Sequence, residues 1–116
     1  MKYKLLVLDV DGTLLNDAKE ISKRTLASLL KVQQMGIRVA LASGRPTYGL
    51  MPLAKTLELG NYGGFIISYY GGQIINAQNG EILFERRINP EMLPYLEKKA
   101  RKNNFAIFTY HDDTIL

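Results

Sequence analysis

Lys4-Leu5-Leu6-Val7-Leu8-Asp9-Val10-Asp11-Gly12-Thr13 is the stretch on which the reading of this chain turns. From Lys4 to Val10 it is rich in β-formers and nearly all apolar, the composition of a strand buried on both faces of a parallel sheet. It then breaks into Asp-Gly-Thr, a turn. Open α/β sheets bind ligands beyond the carboxyl ends of their strands, so Asp9 and Asp11 stand where chemistry is expected. Two acids at i and i+2 can point into one pocket there, while Gly12 lets the backbone turn and bring N–H groups toward an anion. Like charges so close oppose joint ionisation, and a divalent cation such as Mg2+, which takes hard oxygen ligands, would relieve this. Taken alone, an Asp-Gly turn with a spare surface Asp accounts for the same residues.

Downstream, Ile21, Leu26, Leu29, Leu30 and Gln33 to Met35 follow a helical rhythm, with Ser22 as cap and Gly36 as stop. Ile37 to Ala42 reads as a second buried strand. Strand, helix and strand with short connections make a βαβ unit, whose strands run parallel. Ser43-Gly44-Arg45-Pro46 therefore leaves the neighbouring strand on the same edge as Asp9. A hydroxyl, a flexible amide and a guanidinium form a natural phosphate cradle, although a capped helix start before Pro46 explains the triplet equally well.

A short helix is predicted from about Thr47 to Leu57, a glycine-rich turn over Gly60 to Gly64, and a third strand over Phe65 to Ser68. Gln73 to Asn76 and Glu81 to Arg86 flank an Asn-Gly step, which marks an antiparallel hairpin. Asn89-Pro90-Glu91 starts a helix running to about Asn103, with Asn as cap and Pro at the first helical position. Phe105 to Tyr110 reads as a further strand.

The 116 residues include no Cys and no Trp, and 47% are hydrophobic against 22% charged, the composition of one ordinary domain. At this length ~65% of the unfolded surface can be buried, so neither disulfides nor a structural metal is required. Collagen-like, disordered and disulfide-framework classes are excluded. The net charge of +4 comes from scattered basic residues, including a helix face at Lys98, Lys99, Arg101 and Lys102. Small anionic substrates suit it better than nucleic acid. Asp9 and Asp11 cut the first apolar run short of the ~7 to 15 residues of a signal core, and no run approaches a membrane span of ~20. A soluble cytoplasmic protein that binds no membrane is the expectation.

DVDGTLL at 9–15 together with LASGRP at 41–46 resembles the haloacid dehalogenase (HAD) superfamily of phosphatases. FIISYYGGQI at 65–74 and the hairpin after it are similar to its Cof-type sugar-phosphate phosphatases, whose cap domain is inserted after the third core strand. The fold implied is α/β: a Rossmann-like core of three parallel strands with helices, incomplete, then an antiparallel hairpin and the start of an α+β cap. Residues 1–86 would be the amino-terminal half of the core and 87–116 the beginning of the cap. The resemblance implies phosphoryl transfer from small phosphorylated metabolites through an aspartyl-phosphate. Asp9 would be the nucleophile, and Asp11 the general acid and then the base. Gly12, Thr13, Ser43, Gly44 and Arg45 would bind phosphate or substrate. The Asp9 side chain and the Asp11 main-chain carbonyl would hold Mg2+. To act as an acid near neutral pH, Asp11 must hold its proton well above the ~3.9 of a reference aspartate, so a raised pKa is expected in the intact enzyme.

The family pattern also requires a lysine and a downstream Gly-Asp-type acidic motif, and neither appears. Asp112-Asp113 could be proposed as that motif in a capless relative, but a hairpin turn within the first cap strands fits better. The chain thus resembles the amino-terminal portion of a longer enzyme, and by itself it is expected to be inactive or weakly active because the later motifs are absent. In the family a strand from the other half flanks the first strand, so Lys4 to Val10 would present an open apolar edge that invites self-association. Tyr70 stands where the family has Asn near the phosphate. His111 receives no role. Rival readings are a phospho-acceptor signalling domain, against which stands the position of the acids after the very first strand, and a non-catalytic remnant that binds a partner.

Overall fold

The computed structural model describes residues 2–111 and 114–116. The chain divides into two compact units, Met1–Glu85 and Arg86–Leu116.

In the first unit, β1 (Leu5–Asp9) pairs in parallel with β2 (Arg38–Ala42), and β2 with β3 (Phe65–Ser68). Antiparallel β4 (Gln73–Asn76) and β5 (Ile82–Glu85) continue the sheet in the order β1-β2-β3-β4-β5. Three parallel strands followed by a hairpin is the α/β architecture expected. Between the strands lie α1 (Lys23–Gln34), α2 (Thr47–Thr56) and the short α3 (Leu59–Tyr62). Helix α1 begins where Ser22 accepts a hydrogen bond from the Thr25 N–H, at 3.2 Å, and so satisfies one of the orphan donors of its first turn. In place of the expected glycine-rich turn over 60–64, α3 forms because Leu59 is fully buried and anchors the segment in the core.

The core gathers Val10, Val39, Leu41, Leu50, Leu57, Leu59 and Ile66, all without solvent exposure. Each such aliphatic side chain stabilises the fold by about 1.5–3 kcal/mol relative to its exposed state. Strand β2 is buried along Val39-Ala40-Leu41, as a central strand should be. Strand β1 is not. Leu5 and Val7 are 50% exposed, while Leu6 and Leu8 pack against the core. The expectation of a strand covered on both faces is therefore corrected: β1 ends the sheet and one of its faces lacks cover.

In the second unit, the Asn89 side chain accepts from the Glu91 N–H at 3.0 Å, and one tight turn over Pro90–Met92 leads into α4 (Leu93–Lys102). Strands β6 (Tyr110–His111) and β7 (Thr114–Ile115) pair antiparallel, extended by reciprocal bonds between Thr109 and Leu116. The predicted strand over Phe105 to Tyr110 is thus mostly unpaired, because a strand needs a neighbour and the short ribbon reaches back only to Thr109. None of the described residues of this unit is buried, and Phe105 and Phe108 are both exposed. Asp112 and Asp113 lie outside the described residues.

Candidate functional site

Register brings the two sequence motifs together. Asp9 at the end of β1 faces Ala42 at the end of β2, so the segments from Val10 and from Ser43 leave adjacent strands at the same edge. The first is a wide turn over Val10–Leu14, closed by the Leu15 N–H on the Val10 carbonyl at 3.0 Å. Inside it Asp11 is extended and Gly12 takes φ +78°. An added Cβ at Gly12 would meet nothing within 4 Å, so what demands glycine there is the left-handed backbone and not a lack of room.

Thr13 donates its hydroxyl to Asp9 Oδ2 at 3.1 Å, four residues back across this turn. Its contact is therefore with the acid at the strand end. Asp11 points to the second segment: Arg45 donates through Nε to Oδ2 at 2.9 Å and through Nη2 to Oδ1 at 2.6 Å. Lys19 approaches Oδ1 at 3.5 Å. The paired guanidinium contact, with the added positive charge of Lys19, holds the Asp11 carboxyl below its ordinary value despite the opposing effect of burial. Arg45 is held above its own ordinary value by the same contact. In this chain the Asp11 carboxyl is thus lowered, the reverse of the shift expected for the intact enzyme, because a bidentate cation stabilises the carboxylate and not the acid.

Ser43 is tied into the sheet by its N–H on the Ile67 carbonyl at 3.0 Å, and its Oγ accepts the Arg45 N–H at 3.1 Å. A third segment joins the rim after β3. The Tyr69 N–H donates to the Arg45 carbonyl at 2.9 Å and the Tyr70 N–H to the Ser43 carbonyl at 3.2 Å. Tyr69 and Tyr70 sit at φ 52° and 54°, which costs roughly 1–2 kcal/mol for each L-residue held in the left-handed region. Gly44 lies beneath the Tyr70 ring. The site residues read from the sequence thus come together: Asp9 with Thr13 and Asp11 with Arg45 by direct contact, and Gly12, Ser43 and Gly44 on the two linked segments.

Residues that motif reading missed support the rim from below. Ser68 is fully buried; its hydroxyl shares a hydrogen with Thr47 Oγ1 at 2.6 Å. Thr47 donates in turn to Gln73 Oε1, and the Gln73 amide donates to Glu85 Oε1 at 2.9 Å. Since Thr47 has one proton and gives it to Gln73, Ser68 is the donor of the first bond. This chain joins the start of α2 to the end of β3 and the β4–β5 hairpin. No spacing rule connects these four residues, nor Lys19 with Asp11.

Among the described residues no three His, Asp or Glu side chains converge as a metal cluster. The donors at the rim are hard oxygens, the Asp9 carboxylate and nearby main-chain carbonyls, which suit Mg2+ when it keeps waters or phosphate oxygens as its other ligands. The Asp11 carboxylate is committed to Arg45 and Lys19. No described helix is long and apolar enough to cross a membrane.

A sequence profile of haloacid dehalogenase-like hydrolases matches residues 6–116. A haloacid dehalogenase-like hydrolase from Bacteroides thetaiotaomicron, solved by crystallography, superposes with a TM-score of 0.90 at 51% identity, covering 98% of this chain and 43% of that one. A candidate phosphatase of Streptococcus pyogenes is 36% identical over 81 residues, which is 70% of this chain and 30% of that protein. The 5-amino-6-(5-phospho-D-ribitylamino)uracil phosphatase YitU of Bacillus subtilis is 45% identical over 58 residues, 50% of this chain and 22% of its own length. This chain therefore spans less than half the length of these relatives.

Proposed function

The chain belongs to the haloacid dehalogenase-like hydrolases, and on that premise we propose that it carries the nucleophile half of a Mg2+-dependent phosphomonoesterase for small phosphorylated metabolites such as sugar phosphates. The observation that carries this reading is the meeting of two strand ends: Asp9 in register with Ala42, and Asp11 held by Arg45 across the gap. The names of the relatives, among them a phosphatase of a phosphorylated ribityl compound, support the substrate class.

In this reading an Asp9 carboxylate oxygen attacks phosphorus as the ester P–O bond breaks, the freed oxygen takes a proton from Asp11 and leaves as the alcohol, and an aspartyl-phosphate remains. Thr13 orients the nucleophile through its bond to Oδ2. Ser43 and the amides of Gly12 and Gly44 hold the phosphoryl oxygens, and Arg45 adds positive charge beside them. Water then attacks the same phosphorus, passes its proton to Asp11, and phosphate leaves with Asp9 restored. The salt-bridged Asp11 is ready for this second step as a base; its service as the acid of the first step requires the Arg45 contact to loosen. Mg2+, held by the Asp9 carboxylate and the Asp11 main-chain carbonyl, would offset the negative charge of the phosphate.

The same reading takes residues 1–86 as half of the catalytic core and 87–116 as the start of a cap, in a cytoplasmic protein whose uncovered β1 edge pairs with another copy when no further strand covers it. The test is hydrolysis of an aryl phosphate with Mg2+ by the chain and by Asp9→Asn. Turnover lost in the variant supports the proposal. Turnover that survives Asp9→Asn contradicts it, and labelling by acetyl phosphate without turnover would favour a phospho-acceptor domain instead.

A further inference from the structure

The least explained residue at the rim is Tyr70. The residue is 93% exposed although its backbone N–H is pinned to the Ser43 carbonyl. A Cβ added to Gly44 would fall 2.6 Å from both Cε carbons of the ring and nearer still to Cζ. Equal distances to the two Cε atoms place that Cβ in the plane bisecting the ring through Cζ, and its closeness to all three carbons puts it over the face at the hydroxyl end, not out beyond the edge. One face therefore rests on the glycine between Ser43 and Arg45, and the exposure leaves the other face open to solvent. Tyr69 and Tyr70 both occupy the left-handed region, a conformation that Tyr seldom adopts. Strained backbone and an exposed aromatic ring, both beside the residues read as a phosphate cradle, point to a ligand contact and not to packing.

We propose that the open face of Tyr70 is a stacking platform for the group esterified to phosphate, so that this chain favours phosphate monoesters carrying a flat ring next to the phosphoryl group. The proposal rests on the phosphatase reading, since it assumes that the phosphoryl group sits between Asp9 and Ser43. Gly44 is then needed twice: for close approach of its backbone to phosphate, and as a floor without a side chain on which the ring lies.

The two claims separate in one binding experiment on the 116-residue chain with Mg2+, using phenylphosphonate and methylphosphonate, which cannot be hydrolysed, and following the amide signals of Gly12, Ser43 and Gly44. The variants are Tyr70→Phe, which keeps the ring, and Tyr70→Asn, which removes it with a residue that tolerates the left-handed region better, so folding is not at risk. The wild-type chain and Tyr70→Phe are expected to bind phenylphosphonate roughly tenfold more tightly than methylphosphonate, and in Tyr70→Asn the ratio is expected to fall toward one. A ratio that Tyr70→Asn leaves intact, with both ligands still shifting those amides, overturns the platform and leaves the phosphatase reading standing. If neither phosphonate shifts them, the two segments of this chain do not grip a phosphoryl group, and the platform is overturned with that grip.

Discussion

Arg45 closes on Asp11 through two nitrogens, at 2.9 and 2.6 Å, across 34 residues of sequence. The contact joins the ends of two parallel strands and holds the Asp11 carboxyl below its ordinary range. Its consequence for pH has a definite sign. A carboxylate whose pKa is lower in the folded chain contributes stability above its unfolded pKa and loses it as pH falls through the folded value. Carbon-detected NMR titration of Asp11 should therefore give a value below that of an ordinary aspartate in the wild-type chain and a higher one in Arg45→Gln. Equal values in the two proteins would show that the guanidinium does not set the protonation of Asp11. The side chain is 43% exposed, so screening by salt will reduce the difference.

Thr13→Val removes the hydroxyl that Asp9 Oδ2 accepts, while keeping the shape of the side chain. In the proposed reaction Asp9 then loses one of its restraints, and the rate of aspartyl phosphorylation is expected to fall about tenfold or more. Rapid-quench measurement of that step, compared with Thr13→Ser, checks it; Ser should retain most of the rate.

Thr47→Val breaks the donor chain from Ser68 to Gln73 and leaves the buried Ser68 hydroxyl without that acceptor. The expected loss of stability is about 1–3 kcal/mol. Urea unfolding followed by circular dichroism measures it, and Thr47→Ser should recover most of the loss because the oxygen remains.

Leu5 and Val7, half exposed on the terminal strand of the sheet, are expected to draw two chains together. Light scattering should show mass rising with concentration for the wild-type chain and much less so for Val7→Lys. A monomer at every concentration would contradict this.

The elements, the parallel pairing of the first two strands and the hairpin were legible because each piece carries a local signal: an apolar run ending in Asp-Gly-Thr, Ser22 and Gly36 around a helix, an Asn-Gly step in a hairpin. That the segments after Asp9 and Ala42 leave the same edge followed from the crossover connection of a βαβ unit, which makes its strands parallel. Three things were not legible. The exposure of Leu5 and Val7 depends on what covers β1, and an apolar run reads alike at the edge and the centre of a sheet. The lowered pKa of Asp11 depends on a guanidinium 34 residues away, whereas chemistry alone suggested a raised one. The Phe105 to Tyr110 segment has strand composition, but strand formation is decided by pairing, which begins only at Thr109.

In the proposed enzyme the segments after β1 and β2 grip one phosphoryl group between them. Beryllium fluoride, which mimics a phosphoryl group on an aspartate, tests it directly when added with Mg2+ to the isotopically labelled chain. Joint saturable shifts of the Asp9, Gly12, Ser43 and Gly44 amides, lost in Asp9→Asn, are the predicted result. Shifts confined to one of the two segments, or persisting in Asp9→Asn, would contradict it.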